Sequence, residues 1–225
     1  MFAPLCRRLQ GKIVIVGGGI GGAATALALH QAGFESVVYE RTQQLREVGA
    51  GVALWANATH VLKKLGVLSE VLRLGNVITR YQFRSQRGEE LMSLPVDRFD
   101  TPALCIHRAD LHAQCRYIPP EQFVLGQAFE RFESFGTQVK VHFASGLIVE
   151  TDALIGADGL NSRVRSQLDD TYPIYRGCTA WRGLTDYVPS AFRQDYITEF
   201  LGCGKAFGFV MIGTRMYWYA AAKAP

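Results

Sequence analysis

The sequence is poor in the patterns that hold metals or build disulfide frameworks. Its five cysteines are an odd number and form no CxxC pair, and its five histidines form no HxxxH or HExxH pair. Zinc sites and small disulfide scaffolds normally show such paired spacings. The sequence therefore argues against both, and it indicates the cytoplasm or another reducing compartment.

Concentrated charge and long uninterrupted apolar runs are also lacking. The net charge is only +4, and the basic residues are scattered along the chain. Nucleic-acid binding needs a concentrated basic face, so no nucleic-acid partner is expected. The longest apolar stretch, residues 13–29, is crowded with glycines and is not expected to span a membrane. Residues 1–12 lack the apolar core of a secretory signal.

What is present is a βαβ pattern at the start of the chain. Residues 12–16 form a continuous β-branched run, which is typical of a buried parallel strand. A glycine-rich turn follows, then an alanine-rich helix over residues 23–31 that Gly33 ends. Residues 36–40 are predicted to form the second strand. This length and order are typical of a nucleotide-binding unit.

The turn in this unit contains GxGxxG at Gly17, Gly19 and Gly22, with Gly21 inside the motif. Gly17 permits the tight turn, Gly19 lets the backbone approach a pyrophosphate, and Gly22 lets the helix pack closely. The free N–H groups at the helix start favour phosphate binding. All four glycines are predicted to bind a dinucleotide cofactor. The alternative is a merely glycine-rich turn.

Glu40 and Arg41 narrow the choice of dinucleotide. Glu40 ends the second strand, where a carboxylate accepts hydrogen bonds from the ribose hydroxyls of FAD or NAD and repels the 2′-phosphate of NADP. Arg41 instead favours NADP, because an arginine can bind the 2′-phosphate of that cofactor. With Glu40 at the ribose, Arg41 is interpreted as flanking the adenine.

The rest of the chain alternates between α/β and β character. Asn57 is predicted to cap a helix that Gly66 ends, and residues 77–84 and 90–94 to form a β-hairpin. Another α/β stretch follows, and from residue 175 the sequence is mostly β. This order predicts an α/β, Rossmann-like nucleotide-binding domain interrupted by a mostly antiparallel β domain.

Four further segments carry a family resemblance. Residues 152–165 contain Asp158-Gly159 after a short buried strand; residues 49–58 read GAGVALWANA; residues 106–111 read IHRADL; and residues 175–183 run from YRG to WRG. Together with GxGxxG, they resemble class A FAD-dependent monooxygenases, the family of p-hydroxybenzoate, salicylate and urate hydroxylases and zeaxanthin epoxidase. Ala56 stands where that family usually has proline.

The resemblance implies a domain assignment. Residues 1–76 and 101–172 would form the two parts of the FAD-binding domain. Residues 77–100 would supply a β-hairpin of the substrate domain, and residues 173–225 an incomplete remainder of that domain.

The resemblance also implies roles for single residues. Arg108 would hold the ribityl or phosphate part of FAD, and Asp158 would lie near the pyrophosphate and ribityl chain. Ala53 and Phe129 would contact the flavin through their backbones. The alternatives are a solvated helix residue for Arg108 and a simple strand-ending turn for Asp158. Arg163 is either structural or adjacent to phosphate.

For the reaction, the resemblance implies that NADPH or NADH reduces FAD. The flavin then captures molecular oxygen as a C4a-hydroperoxide and passes one oxygen atom to a small aromatic or unsaturated substrate. Six aromatic residues on the late strands are candidates for the wall of a substrate site, with plain core as the alternative; they are Trp181, Phe207, Phe209, Tyr217, Trp218 and Tyr219. No catalytic acid or base is identified.

The family's third fingerprint, a Gly-Asp-Ala segment, has no counterpart, because no aspartate follows a glycine in this sequence. The chain is therefore expected to be a fragment, a truncated product or one piece of a split enzyme, with a C-terminal portion supplied in trans as one possibility. Alone, it is expected not to sustain coupled hydroxylation. The competing hypotheses are another FAD oxidoreductase of the superfamily and a truncated product that only binds nucleotide or partners. A halogenase is disfavoured because no WxWxIP segment occurs.

Overall fold

The structure of the chain is a computed structural model that describes residues 11–45, 50–190 and 192–224. The expectations for residues 1–10 and for Gly49 lie outside the described residues. The chain forms two compact units. The first unit comprises Met1–Arg46 and Cys115–Ile174, and the second comprises Glu47–Gln114 and Tyr175–Pro225. The four-part assignment to flavin and substrate domains stays a prediction.

The secondary structure elements alternate as a mixed α/β chain. The strands are β1 (Ile13–Val16), β2 (Ser36–Tyr39), β3 (Gly51–Leu54), β4 (Asn76–Ile78), β5 (Arg80–Ser85), β6 (Glu90–Pro95), β7 (Ala103–His107), β8 (Phe123–Val124), β9 (Phe129–Phe135), β10 (Gln138–Phe143), β11 (Ile148–Thr151), β12 (Ala153–Gly156), β13 (Cys178–Thr185), β14 (Tyr196–Gly202), β15 (Lys205–Ile212) and β16 (Arg215–Lys223). The helices are α1 (Ile20–Gln31), α2 (Ala56–Lys64), α3 (Leu68–Leu74), α4 (Arg108–Cys115) and α5 (Arg163–Ser166), with a 3-10 turn at Pro120–Gln122.

The first unit is built around a parallel sheet with the strand order β12-β1-β2-β8. Every residue of β1 and β2 is buried, which explains why their sequences are continuously apolar or small. Helix α1 packs its buried Ala26 and Leu27 inward. The carboxyl ends of β1, β2 and β12 therefore meet at one edge, where ligands of such sheets bind.

A second sheet of the first unit has the antiparallel order β11-β10-β9. Its Val141 and Phe143 share one hydrophobic cluster with Val14 and Val37 of the parallel sheet and with Val164 of α5. This shared core fixes both sheets and the loop before α5 relative to one another.

The second unit contains a six-stranded sheet with the order β13-β16-β15-β14-β5-β6, antiparallel except for the parallel pair β14 and β5. A small antiparallel sheet, β3-β7-β4, packs on it. Ile78 and Cys105 of the small sheet share a core with Ile197, Val210 and Tyr217 of the large one. Together with the first unit, this arrangement confirms the predicted fold class.

Two local predictions are wrong, and two strands were not predicted. Helix α2 begins at Ala56 with Trp55 as its N-cap, so Asn57 lies inside the helix and does not cap it. Val77 pairs with β7 and not with the hairpin, which joins β5 to β6. Strands β3 and β7 were not predicted, because their short sequences pair only through residues about 50 positions away. Among the described residues, no helix is long and apolar enough to cross a membrane.

Candidate functional site

A cleft of about 350 Å³ lies at the carboxyl ends of β1, β2 and β12 in the first unit. Six residues that the sequence singled out line it together: Gly17, Gly19, Glu40, Arg41, Phe129 and Asp158. They come from four separate stretches of the chain. The parallel sheet brings five of them to one edge, and Phe129 comes from β9 of the antiparallel sheet.

The glycines of the turn differ in what a side chain would meet at each position. Gly17 has φ +105°, and a Cβ there would clash with the carbonyl oxygen of Ala157. A Cβ on Gly22 would clash with the carbonyl oxygen of Gly17, so the helix could not approach the turn. Gly19 is different, because a Cβ built on it meets no protein atom within 4 Å. Protein packing therefore does not require glycine at position 19, and the turn leaves open space at this point of the cleft.

Helix α1 presents its N-terminus to this cleft without a protein cap. Its N-cap residue is Gly19, which has no side chain, and no acidic residue occupies the first turn. The first N–H groups of a helix lack partners within the helix, and they carry the positive end of the helix dipole. The N-terminus of the twelve-residue helix α1 therefore faces the cleft, and such a helix end favours phosphate binding.

Glu40 is held in place by backbone hydrogen bonds. The Gly18 N–H donates to Glu40 Oε2 at 2.6 Å, and the Thr42 N–H donates to Glu40 Oε1 at 3.0 Å. A carboxylate offers about four acceptor positions, so two remain for hydroxyl groups of a ligand. The bond from Gly18 ties the end of β2 to the glycine turn.

Two arginines face the cleft with the carboxylate. Arg41 is exposed beside Glu40, and Arg163 also lines the cleft, where its Nη1 donates to the Phe129 carbonyl at 3.3 Å. Arginine side chains complement phosphate oxygens. Arg163 supports the Phe129 backbone and also lines the cleft. A structural role and a position next to a phosphate therefore both stay open for it.

Asp158 caps the short helix α5. Its Oδ2 accepts hydrogen bonds from the Arg163 N–H at 2.7 Å and the Val164 N–H at 3.3 Å, and its Oδ1 accepts one from the Ser162 hydroxyl at 2.5 Å. Ser162 in turn accepts from the Arg165 N–H, as expected for the residue that starts this helix. Asp158 therefore shapes the wall of the cleft as well as facing it.

Four predicted residues do not line this cleft. Gly21 and Gly22 lie within the first turn of α1. Ala53 and Arg108 belong to the second unit: Ala53 lies on β3 opposite Cys105, and Arg108 is the exposed first residue of α4. The Arg108 N–H donates to the Ala50 carbonyl at 3.0 Å. Their contacts with a cofactor stay predictions.

The second unit has its own cavity, of about 90 Å³, between the small and the large sheet. Four aromatic residues line it: Trp55, Tyr81, Tyr217 and Tyr219. The Trp55 and Tyr81 rings are stacked, with centroids 5.8 Å apart and an interplanar angle of 18°. Aliphatic side chains and the buried Cys105 complete a largely apolar lining.

A polar cluster borders this cavity. The phenol groups of Tyr81 and Tyr219 both donate to Oε2 of Glu199, the latter at 2.8 Å. Burial, and then the hydrogen bond to Glu199, raise the pKa of Tyr81 to about 12. Burial, and then the hydrogen bonds with Tyr81 and Glu199, raise the pKa of Tyr219 as well. Both phenols are therefore protonated and neutral at physiological pH.

Gly208 makes this cluster possible. It lies on β15, between Glu199 of β14 and Tyr219 of β16 in the same cross-strand row. A Cβ on Gly208 would clash with the ring and hydroxyl of Tyr219. The missing side chain lets the tyrosine ring cross β15 and reach the carboxylate.

The six aromatic residues that were candidates for the wall of one substrate site do not lie on one surface. Tyr217 and Tyr219 face the cavity, whereas Trp218 between them faces the opposite side of the sheet with Phe207 and Phe209. Trp181 pairs with Ala220 and is more than half exposed. Neighbouring residues of a strand point to opposite faces, so these six aromatics divide between two surfaces.

Tyr81 and Glu199 were missed by the sequence reasoning. Glu199 interrupts the apolar strand sequence YITEFLG at a position on the same face as Ile197. An inward-facing charge in such a strand is a usable signal, because even a half-buried carboxylate needs partners. Nothing in the local sequence identifies Tyr81 as one of them, since it lies 118 residues away.

Comparisons with known proteins agree with this geometry. A family profile described as FAD binding domain matches residues 10–222. Aurachin C monooxygenase/isomerase of Stigmatella aurantiaca is 39% identical over 220 residues, covering 95% of this chain and 57% of that protein. A 6-hydroxynicotinate 3-monooxygenase of Pseudomonas fluorescens is 33% identical over 181 residues, covering 77% and 47%.

Among solved structures, Klebsiella pneumoniae HpxO complexed with FAD and uric acid is similar, with a TM-score of 0.86 and 26% identity. The match covers 95% of this chain and 57% of that one. The chain thus spans about half the length of the curated relatives it matches.

Proposed function

The chain belongs to the FAD binding domain family of class A FAD-dependent monooxygenases, and we propose that the cleft of its first unit binds the ADP part of FAD. The resemblance predicted this family, and the profile match over residues 10–222 confirms it. The proposal for the cleft is carried by one observation. Gly19 caps a twelve-residue helix, lines the cleft, and has open space where a side chain would lie.

The other groups in the cleft suit the same ligand. The N-terminus of α1 favours the pyrophosphate, and the fixed carboxylate of Glu40 retains acceptor positions for ribose hydroxyls. A second phosphate at the ribose would meet that carboxylate at close range. FAD therefore fits better than NADP, and Arg41 on the rim flanks the adenine.

We further propose that the protein is a monooxygenase of small aromatic substrates that consumes NADPH or NADH and molecular oxygen. The bound flavin supplies the electron transfer and oxygen activation. The protein binds and orients flavin and substrate and excludes water from the reacting centre. The cavity of the second unit, with four aromatic side chains in its lining, offers the apolar surface that an aromatic ring requires.

Two glycine variants test the cofactor proposal. Gly19→Ala should leave the fold intact, because its φ of −70° is allowed for alanine and its Cβ meets no protein atom. The added methyl would occupy the path of the pyrophosphate, so FAD affinity should fall about tenfold or more. Affinity is measured by titrating the flavin fluorescence with protein.

Gly21→Ala provides the comparison. Its Cβ also meets no protein atom, but Gly21 does not line the cleft, so a much smaller loss of FAD affinity is expected. Equal FAD affinity in wild type and Gly19→Ala would contradict the proposal. In a full-length version of the protein, NADPH consumption with candidate aromatic substrates, measured against hydrogen peroxide and hydroxylated product, then separates a monooxygenase from an oxidase or reductase.

A further inference from the structure

The large sheet of the second unit has a second pocket on the face opposite to the cavity described above. The volume of this outer pocket is about 290 Å³, near the lower end of the range for small-molecule sites. Gln82 and Thr198 line it, whereas their strand neighbours Tyr81 and Ile197 line the cavity. Because neighbouring residues of a strand point to opposite faces, the sheet itself separates the two spaces.

Aromatic rings form the walls of the outer pocket. The Phe209 ring packs against the rings of Phe192 and Phe200, with centroid distances of 5.1 Å and 5.9 Å. Tyr196 lines the pocket as well. All four rings are half-buried, so packing holds them in place while part of each remains accessible. Such walls favour a flat apolar group, above all another aromatic ring.

Polar side chains are buried among these rings. Gln82 is 8% exposed and Thr198 is 6% exposed, and the two are direct neighbours on the paired strands β5 and β14. In the part of the chain that the structure describes, the Thr198 side chain has no hydrogen-bond partner, and it lines the pocket. Its hydroxyl group is therefore left to bond to a ligand or to water.

Arg84 adds a positive charge to the pocket. Its Nε donates to Gln82 Oε1 at 2.9 Å and its Nη1 to the Gly88 carbonyl at 3.1 Å, which fixes the plane of the guanidinium group. Both partners are neutral, and among the described residues Arg84 forms no ion pair. Glu90, its neighbour on β6, accepts a hydrogen bond from Gln82 instead. The Nη2 group of Arg84 is therefore available to an anion.

The second arginine of the outer pocket is already paired. Arg193 is exposed, forms an ion pair with Asp195 at 3.2 Å, and lies over the Tyr196 ring at 4.7 Å. The unpaired charge of the pocket is thus that of Arg84. One guanidinium group matches a ligand with one negative charge, and its planar fork fits a carboxylate through two parallel hydrogen bonds.

We propose that the outer pocket binds a small aromatic carboxylate. The ring of this ligand packs against Phe200 and Phe209, and its carboxylate accepts hydrogen bonds from Arg84 and from the Thr198 hydroxyl. The site is distinct from the cleft of the first unit and from the cavity between the two sheets of the second. It goes beyond the proposed function and does not depend on it.

The test compares a carboxylate with a neutral ligand of the same shape. Binding of 2-naphthoate and of 2-naphthamide to the full chain is measured by equilibrium dialysis. Wild type should bind the naphthoate about tenfold more tightly, as a charge-assisted hydrogen bond allows. Arg84→Met keeps the aliphatic part of the side chain and removes the guanidinium group. In this variant the preference should fall about fivefold or more, toward equality.

Two further variants separate the site from general effects of charge and folding. Arg87 is exposed in the turn between β5 and β6 and does not line the pocket, so Arg87→Met should keep the wild-type preference. Thr198→Val has nearly the same shape and lacks the hydroxyl, and it should weaken naphthoate binding about threefold. A variant that merely loosened the fold would weaken both ligands alike, so the ratio between them reports the polar contacts.

Other outcomes decide against the proposal. It is overturned if wild type shows no preference for the naphthoate, or if folded Arg84→Met keeps the full preference. If Arg84→Met does not fold, Thr198→Val decides, and unchanged naphthoate binding there also overturns the proposal. FAD binding, titrated in separate samples of the same chain, is an independent result: its absence contradicts the proposed function without altering the ranking of the two naphthalene ligands.

Discussion

The cleft of the first unit and the cavity of the second differ in the kind of protein groups that shape them. The cleft is shaped by backbone: a glycine turn, a helix N-terminus and carbonyl groups, with Glu40 held by two amide groups. The cavity is shaped by side chains, and the Tyr81–Glu199–Tyr219 cluster gives it polarity. A backbone site recognises a group common to many cofactors, whereas a side-chain site can be retuned by single substitutions.

The two regions should therefore respond differently to mutation. Changes at Gly17 and Gly22 alter the backbone and affect folding, while changes in the cavity alter selectivity. Four predictions examine this contrast, with the largest expected effect first.

Gly17→Ala should lower the free energy of unfolding by about 3 kcal/mol, because it combines an unfavourable φ of +105° with a clash against the Ala157 carbonyl. Urea unfolding followed by circular dichroism measures this. Gly146→Ala is the control, since Gly146 also has a positive φ, +86°, but an added Cβ meets no atom within 4 Å. That control should lose only about 1 kcal/mol. Equal losses would show that the close approach at Gly17 is unimportant.

Glu40→Ala should weaken FAD binding by about 2 kcal/mol, or roughly 30-fold, as expected for lost charge-assisted hydrogen bonds. Flavin fluorescence titration gives the dissociation constant. Glu35→Ala removes an exposed carboxylate from the opposite end of the same strand and should leave the constant unchanged. Unaltered FAD affinity in Glu40→Ala would remove Glu40 from the ribose site.

Asp158→Ala should cost about 1 kcal/mol of unfolding free energy without unfolding the protein, because it removes the acceptor of the Arg163 and Val164 N–H groups at the start of α5. It should also weaken FAD binding, since the loop that Asp158 anchors forms one wall of the cleft. Asp158→Asn retains one acceptor oxygen and should lose less of both. If Asp158→Ala lost stability but kept wild-type FAD affinity and reduction by NADPH, Asp158 would be a turn residue only.

The smallest effect concerns alkaline pH. Burial and the Glu199 hydrogen bond raise the pKa of Tyr81 to about 12, above the value near 10 of an unfolded tyrosine. The stabilisation from this raised pKa is fully present below pH 10 and is lost as the pH rises through about 12. Wild type should therefore lose more unfolding free energy than Tyr81→Phe between these limits.

Urea midpoints at a series of pH values measure that loss. Tyr187→Phe, at a position that is 73% exposed, should follow the wild-type curve. Parallel curves for wild type and Tyr81→Phe would mean that Tyr81 does not carry the alkaline transition.

Much of the first unit was predictable because its signals are local. The strand β1, the glycine turn and helix α1 follow one another within about 20 residues, and each has a composition that favours only one conformation. Glu40 was found by its fixed distance from the motif. Asp158 was also found, but its capping of α5 was not foreseen, although Ser162 was correctly placed at the helix start.

In the second unit, the sequence predicted strands but not what they face. Tyr217, Trp218 and Tyr219 are equally aromatic, and only the register of β16 decides that the two tyrosines face the cavity. The sequence by itself determined the FAD-binding family and the glycine cleft, because these depend on backbone conformation encoded by neighbouring residues. Only the tertiary structure decided the Tyr81–Glu199–Tyr219 cluster, because its members meet through strand pairing across 118 residues and through the space left by Gly208.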